Sequence, residues 1–481
     1  MALVLGVDSS TSATKACLRQ AEAGTVVARA SAGHPPTGTP PRSEADPRDW
    51  WAALASCLAL LGPLDDVAAV SVAAQQHGMV VADGAGEPLR PAKLWNDTES
   101  APESARLVAA LGPETWAREV GSVPVASFTV TKLAWLRNHE PACFDRMAKV
   151  VLPHDWLTWR LCGQAVTDRG DASGTGYWSP ADGRWRPDLL ELVDGSRDWA
   201  ACLPEVLGST APAGRVGQRA AQDFGLRPAC LVGPGTGDNM AAALGMGLGV
   251  GQLAVSLGTS ATGFTVAEVP VADPSGAVAG FADATGRFLP LVCTLNATGV
   301  TSFVAGLLGV DLGELDRLAG SAPPGAGGVV VVPHLEGERT PNRPQATARV
   351  TGLRAGTGRA ELARAAFEGV VCNLLEALDA MGGAGVRLAE GPVRLVGGGA
   401  RSATFARVLA DLSGRPVSLL DDEEPAATGA CVQAAACYHR LAPEEVAGRW
   451  GLGRARSVVE PDPRVEAEAV RHRYRMAAGP A

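Results

Sequence analysis

Two stretches far apart in the chain, Asp8-Ser9-Ser10-Thr11-Ser12-Ala13-Thr14 and Ser256-Leu257-Gly258-Thr259-Ser260-Ala261-Thr262, end in the same four residues, and an apolar strand precedes each. A hairpin tip of hydroxyls and small residues offers both side-chain O–H and backbone N–H groups to an anion, which makes it a phosphate-contacting device. Its return at the head of the second half points to a duplicated unit rather than to one continuous domain. The 481 residues agree, being too many for one ordinary core. The fold class expected is α/β, with domains at 1–245 and 246–481, a cleft between them and one phosphate hairpin on each wall. Only the first copy keeps an acid, Asp8, so only one wall is expected to hold a metal.

Close to the midpoint runs Val232-Gly233-Pro234-Gly235-Thr236-Gly237-Asp238-Asn239-Met240, followed by the small residues Ala241 to Gly245. Glycine and proline crowd the backbone into a tight turn, and an acid that ends such a turn and opens a helix sits at the rim of a cleft. The strand Val67 to Ala74 delivers Gln75-Gln76-His77-Gly78 into one loop, and Pro91 to Asp97 forms a second polar-aromatic loop. Ten of the eleven tryptophans fall in the first 200 residues, which favours that half as the side that grips a sugar ring, with plain core use as the alternative. In the second half, Arg359 to Met381 is the longest amphipathic helical pattern. A strand then ends in Gly397-Gly398-Gly399-Ala400-Arg401-Ser402, where backbone can approach a ligand closely and helix N-terminal amides can face it.

Composition narrows the partners. A net charge of −9 argues against nucleic acid and anionic membranes, leaving a small molecule. Ten scattered cysteines without C-x-x-C spacing suit buried thiols in a reducing, cytoplasmic setting, and no stretch reads as a signal peptide or a membrane span. The run from Ala241 to Leu257 reads as flexible Gly-Ala sequence. No Gly-Lys pair occurs, so a Walker A loop is absent, and Pro234 and Asp238 break any dinucleotide fingerprint.

Seven motifs in order, Gly6-Val7-Asp8, Gln76-His77-Gly78, Leu94-Trp95-Asn96-Asp97, Gly237-Asp238-Asn239, Ser256 to Ser260, Gly337-Glu338-Arg339-Thr340-Pro341 and Gly397 to Ser402, together resemble the FGGY carbohydrate kinases over about residues 3 to 440. The resemblance implies two actin-like, ribonuclease-H-like domains that close over sugar and ATP, with D-xylulose as the expected acceptor. Carried onto matching positions, Asp238 would be the general base and Asp8 would hold Mg²⁺. Gln76, His77, Trp95, Asp238 and Asn239 would surround the sugar, while Ser10, Thr11, Lys15, Gly258, Thr259, Gly398, Gly399 and Ala400 would serve the nucleotide.

Lys15 also reads as a solvated strand-end charge, His77 as an ordinary loop residue and Trp95 as core. Gln76 stands where members that phosphorylate pentuloses commonly carry Met, a departure that bears on which sugar is taken. The residue chemistry agrees with the assignment: a sugar hydroxyl is a poor nucleophile and needs a carboxylate to take its proton, with cations and amides where charge spreads on the γ-phosphoryl group. Ribulose, gluconate or glycerol kinases are the alternatives within the family, and an actin-like or chaperone-like ATPase is the alternative outside it. Sugar and ATP are the expected partners, and a homodimer is left open.

Overall fold

The computed structural model describes residues 1–335 and 337–479. The chain divides into two compact units, one of residues 1–247, 268–289 and 424–453, the other of 248–267, 290–423 and 454–481. The expected domains were contiguous, whereas these units exchange segments.

In the first unit, β1 (Leu3–Ser9), β2 (Ala13–Gln20) and β3 (Val26–Gly33) form an antiparallel meander, and β4 (Val67–Ala74) lies parallel to β1 on its other side. Next to β4 lie two short parallel strands, β5 (Leu231–Val232) and β6 (Thr236–Gly237). Both strands are mostly apolar and buried along most of their length, as strands covered on both faces are. Leu5, Val7, Val70 and Val72 are buried in one core with Trp50 and Trp156.

The second unit repeats this path. β7 (Leu253–Leu257) and β8 (Ala261–Thr265) form its hairpin, β9 (Phe288–Thr294) extends the antiparallel side, and β10 (Val393–Val396) and β11 (Val417–Leu420) continue parallel to β7. Both hairpins therefore form where the sequence placed them, but their registers differ by one residue. Ser9 pairs with Thr14 in the first, and Leu257 pairs with Ala261 in the second. The four shared residues are thus equivalent only up to the tip.

The small residues after Asp238 are a packing device rather than a flexible run. The helix Asp238–Gly245 crosses the helix Pro425–His439 at backbone distance. A Cβ on Gly245 would lie 1.9 Å from the Pro425 carbonyl oxygen, and one on Gly429 would lie 1.9 Å from that of Ala241. Likewise a Cβ on Gly6 would lie 2.1 Å from the Ala427 oxygen, so the same helix rests directly on β1. Alanine at Gly245 or Gly429 has no room without moving a helix, a change that typically costs about 1–3 kcal/mol. The late segment containing Pro425–His439 belongs to the first unit for this reason.

Candidate active site

Three parallel strands of the first unit, β1, β4 and β6, end side by side. Asp8 pairs with Ala73, Ser9 with Ala74, and Gly237 with Ala74 from the other side. The residues that follow, Gln75 to His77 after β4 and Asp238 after β6, emerge at the carboxyl ends of the strands, where open α/β sheets bind ligands. The sharp turn before β6 depends on Gly235, whose φ is +74°. A Cβ there would meet the His154 ring at 2.4 Å and the Val72 carbonyl at 2.7 Å.

Asp238 is half-buried, and its pKa is pushed up to about 8, first by burial and then by the charges of Asp8 and Asp171. Its Oδ1 accepts hydrogen bonds from the Asn239 backbone N–H (2.8 Å) and from Asn239 Nδ2 (2.9 Å). Asn239 Nδ2 also donates to Gln76 Oε1 at 2.9 Å, which leaves the buried Gln76 Nε2 as an unpaired donor beside the acid. A buried donor without a partner is costly, by roughly 1–3 kcal/mol, so a ligand oxygen is the partner this arrangement favours.

His77 adopts a left-handed conformation, with φ of +64°. Its Nδ1–H donates to the Gly174 carbonyl at 2.7 Å, and the ring lies between Phe128 and Phe281, with centroids 4.8 and 5.5 Å away. The aromatic seat and the carbonyl hold the imidazole in one orientation.

Asp8 is buried, and its Oδ1 makes no hydrogen bond. Burial raises its pKa to about 6 even though Lys15 works in the opposite sense and Glu424 adds to the rise. A buried carboxylate oxygen left unpaired beside a second acid is a fit donor for a hard divalent cation.

Among the other residues expected at the site, Thr11 accepts a hydrogen bond from Trp95 Nε1 at 2.9 Å, which ties the second loop to the hairpin tip. The Ser10 hydroxyl is used within the hairpin, donating to the Ala13 carbonyl at 2.9 Å. Lys15 lies opposite Asp8 across the strands, and its ammonium is paired with Glu424 at 2.6 Å, which weakens its claim as a phosphate contact.

In the second unit, Gly258 and Thr259 form the tip of the β7–β8 hairpin, against the N-terminus of the helix Thr298–Leu308. Thr298 donates to the Gly258 carbonyl through both its backbone N–H (3.0 Å) and its hydroxyl (2.7 Å), and Ala297 N–H bonds to the Thr259 carbonyl. Gly398, Gly399 and Ala400 lie in the helical turn Gly398–Arg401. A Cβ on Gly399 would sit 2.7 Å from Leu257 Cβ and 3.1 Å from Thr298 Cγ2. Hairpin tip, helix N-terminus and glycine turn thus meet in one place. Sequence reasoning missed Thr298 because its helix carries no Gly-Lys pair and no run of glycines.

Two other motif residues prove to be structural. Glu338 is buried and saturated: it accepts from the backbone N–H groups of Leu295 and Arg339, from Asn296 Nδ2 (3.0 Å) and from Asn373 Nδ2 (2.9 Å), which knots its loop to the helix Arg359–Gly383. Asp97 accepts from Ser43 N–H and Lys93 Nζ. Glu44, Asp97 and Glu99 come close enough to hold a metal ion, but the Lys93 ammonium already stands among them.

The chain matches the family model for the N-terminal domain of the FGGY carbohydrate kinases over residues 3–245 and the one for their C-terminal domain over residues 253–438. It is 46% identical over 450 residues to the xylulose kinase of Streptomyces coelicolor, covering 93% of this chain and 90% of that protein. It is 35% identical over 424 residues to the xylulose kinase of Escherichia coli, covering 86% and 85% of the two chains. Among solved structures, a xylulose kinase from Bifidobacterium adolescentis superposes with a TM-score of 0.83 at 38% identity over 99% of both chains. A gluconate kinase from Lactobacillus acidophilus, with a TM-score of 0.89 at 22% identity over 99% of this chain and 96% of that one, shares the fold.

Proposed function

The chain belongs to the FGGY family of carbohydrate kinases, built on two actin-like, ribonuclease-H-like domains, and from that membership we infer that it transfers the γ-phosphoryl group of ATP to D-xylulose, giving D-xylulose 5-phosphate. The observation that carries the mechanism is Asp238, a carboxylate with an elevated pKa at the ends of three parallel strands, next to an unpaired buried amide donor.

Asp238 accepts the proton of the attacking hydroxyl. A base works best when its pKa lies near the working pH, and burial beside Asp8 and Asp171 moves this one upward from the usual carboxylate range. Asn239 fixes the carboxylate through two hydrogen bonds and, through Gln76, fixes the amide that meets a sugar oxygen. His77 supplies a second oriented polar group. Asp8 would hold Mg²⁺, which supplies charge neutralisation on the phosphates when bound. The nucleotide is assigned to the hairpin tip at Gly258 and Thr259 and to the Gly398–Ala400 turn, with Thr298 bracing the hairpin from the start of its helix.

Among the described residues no single helix is long and apolar enough to cross a membrane and no disulfide forms, and we assign the kinase to the cytoplasm.

A coupled assay of ATP turnover on D-xylulose, D-ribulose, gluconate and glycerol tests the acceptor. D-xylulose is expected to give the highest kcat/KM, and equal or better turnover on another acceptor would remove the xylulose assignment. ATP turnover indifferent to all four would favour an ATPase.

A further inference from the structure

Behind the turn that carries Asp238 lies a buried charge cluster of which the chemistry above uses only Asp171. His154, in the first turn of the helix Pro153–Cys162, is fully buried. Its Nδ1 donates to Asp171 Oδ2 at 2.7 Å, and its Nε2 lies 3.0 Å from Asp155 Oδ1 and 3.9 Å from Asp168 Oδ1. One imidazole thus faces three carboxylates. Asp155 shares its helix, and Asp168 and Asp171 come from the short turn Arg169–Ala172 and its cap.

This cluster grips the base turn from beneath. The His154 ring fills the space beside Gly235 that a Cβ would need. Thr236, the second residue before Asp238, donates its hydroxyl to Asp168 Oδ2 at 2.7 Å. Asp168 also accepts from the backbone N–H groups of Gly170 and Asp171, so one carboxylate ties the base turn to the neighbouring helical turn. Gly170 is a glycine because a Cβ would meet Asp168 Oδ2 and Thr236 Oγ1 at 2.8 Å and Met240 at 3.0 Å. The same segment ends at Gly174, whose carbonyl holds His77. Base turn and sugar loop are therefore set by one bracket, residues 168–174, with His154 at its centre.

We propose that His154 and Asp171 form a positioning pair for the base: together they fix the Gly233–Gly237 turn and set the charge field in which Asp238 takes up its proton. The inference rests on the reading of Asp238 as general base.

The electrostatics have a definite sign. Burial opposes charge on His154, but Asp155, Asp171 and Asp168 outweigh it and push its pKa up to about 9, so it is a cation at neutral pH. The charged groups acting on Asp238 are Asp8 and Asp171, both of which raise its pKa. Removing the imidazolium leaves Asp171 uncompensated and moves Asp238 further up. Removing the Asp171 carboxylate moves Asp238 down. Tyr177, also buried nearby, is held neutral by burial and by Asp155 and Asp171.

The test measures kcat, sugar KM and the pH profile of kcat/KM for the full-length enzyme and for the H154Q, H154K and D171N variants, with thermal melting as a check on folding. H154Q is expected to lower kcat on the order of tenfold or more, with a smaller change in sugar KM, and to move the acid limb up by roughly half a unit to one unit. H154K, which restores a cation, returns the limb toward the parent position, and D171N moves it the opposite way. Parent-like kinetics in H154Q, or displacements of the same sign in H154Q and D171N, would overturn the proposal. If H154Q and H154K do not fold, the direction of the D171N limb decides alone, and an unmoved or raised limb rejects the pair. D238N separates the two levels: its retained turnover sinks the base assignment, whereas inactive D238N together with parent-like H154Q sinks only the positioning role.

Discussion

In the first unit the hydroxyl hairpin sets Asp8 opposite Lys15; in the second the equivalent pair is Ser256 opposite Thr262. The strand paths are the same, and so is the order of the parallel strands beside them, yet one tip couples opposite charges and the other offers only hydroxyls and amides. Gapless alignment of the two motifs hides this, because it equates Thr14 with Thr262 where the ladders equate Thr14 with Ala261. A one-residue slip exchanges the two faces of a strand. The two units have thus kept a backbone device with different side chains on it: the charged tip stands at the strand ends beside Asp238 and suits a cation, while the neutral tip stands at a helix N-terminus and suits an anion.

The comparison can be broken at several points. The largest effect is expected at Asp238: Asp238→Ala should lower kcat on the order of 10³-fold with sugar KM nearly constant, as read in a coupled assay. Turnover within tenfold of the parent would move the base elsewhere. Next, Asp8→Asn should cost on the order of 10²-fold in kcat and raise the Mg²⁺ concentration needed for half-maximal rate. Ser256→Ala at the equivalent position should cost roughly threefold or less. Similar losses at both sites would erase the division of labour.

A glycine in each unit sharpens the assignment of ligands. Gly399→Ala places a Cβ against Leu257 and Thr298, and is expected to raise KM for ATP about tenfold while sparing the sugar. Gly170→Ala places one against Asp168 and Thr236, and should act on kcat and the sugar instead. Both variants raising the same KM would contradict the two-sided reading.

The smallest effect concerns stability. Asp238 has a folded-state pKa of about 8, above its unfolded value near 4, so the folded protein binds more protons in between and loses stability as pH rises through that window. Asp8 and Asp168, at about 6, and Asp155, at about 7, act in the same direction. Asp238→Asn should therefore melt at the parental temperature at pH 4 and be stabilised by about 1 kcal/mol at pH 9. An inactive variant that is destabilised at pH 9 would mean that the carboxylate is compensated.

How far the sequence reached depended on the range of the signal. The strand before each hairpin, the tight turn ahead of Asp238 and the glycine turn at Gly397 to Ser402 are written in consecutive residues, through apolar runs and backbone freedom, and all three form where they were read. Trp95 reads from the sequence as either a sugar contact or core, and its bond to Thr11 is not legible there, since nothing local joins positions 11 and 95. Lys15 reads as a phosphate contact or a solvated strand-end charge; its partner Glu424 lies more than 400 residues along the chain. The Ala241 to Gly245 run looked flexible because its packing partner, Gly429, is equally remote.

The sequence by itself determined the duplicated α/β plan, the family and the acid proposed as the base, because these rest on strand periodicity, turn residues and motif order, which are local and additive. Only the tertiary structure decided the one-residue slip between the hairpins, the transfer of Pro425–His439 to the first unit and the buried field of His154, Asp155, Asp168 and Asp171 beneath the base. Those features arise from which side chains meet after the chain has closed on itself. A charge acquires its pKa, and a glycine its necessity, from neighbours that no local window contains.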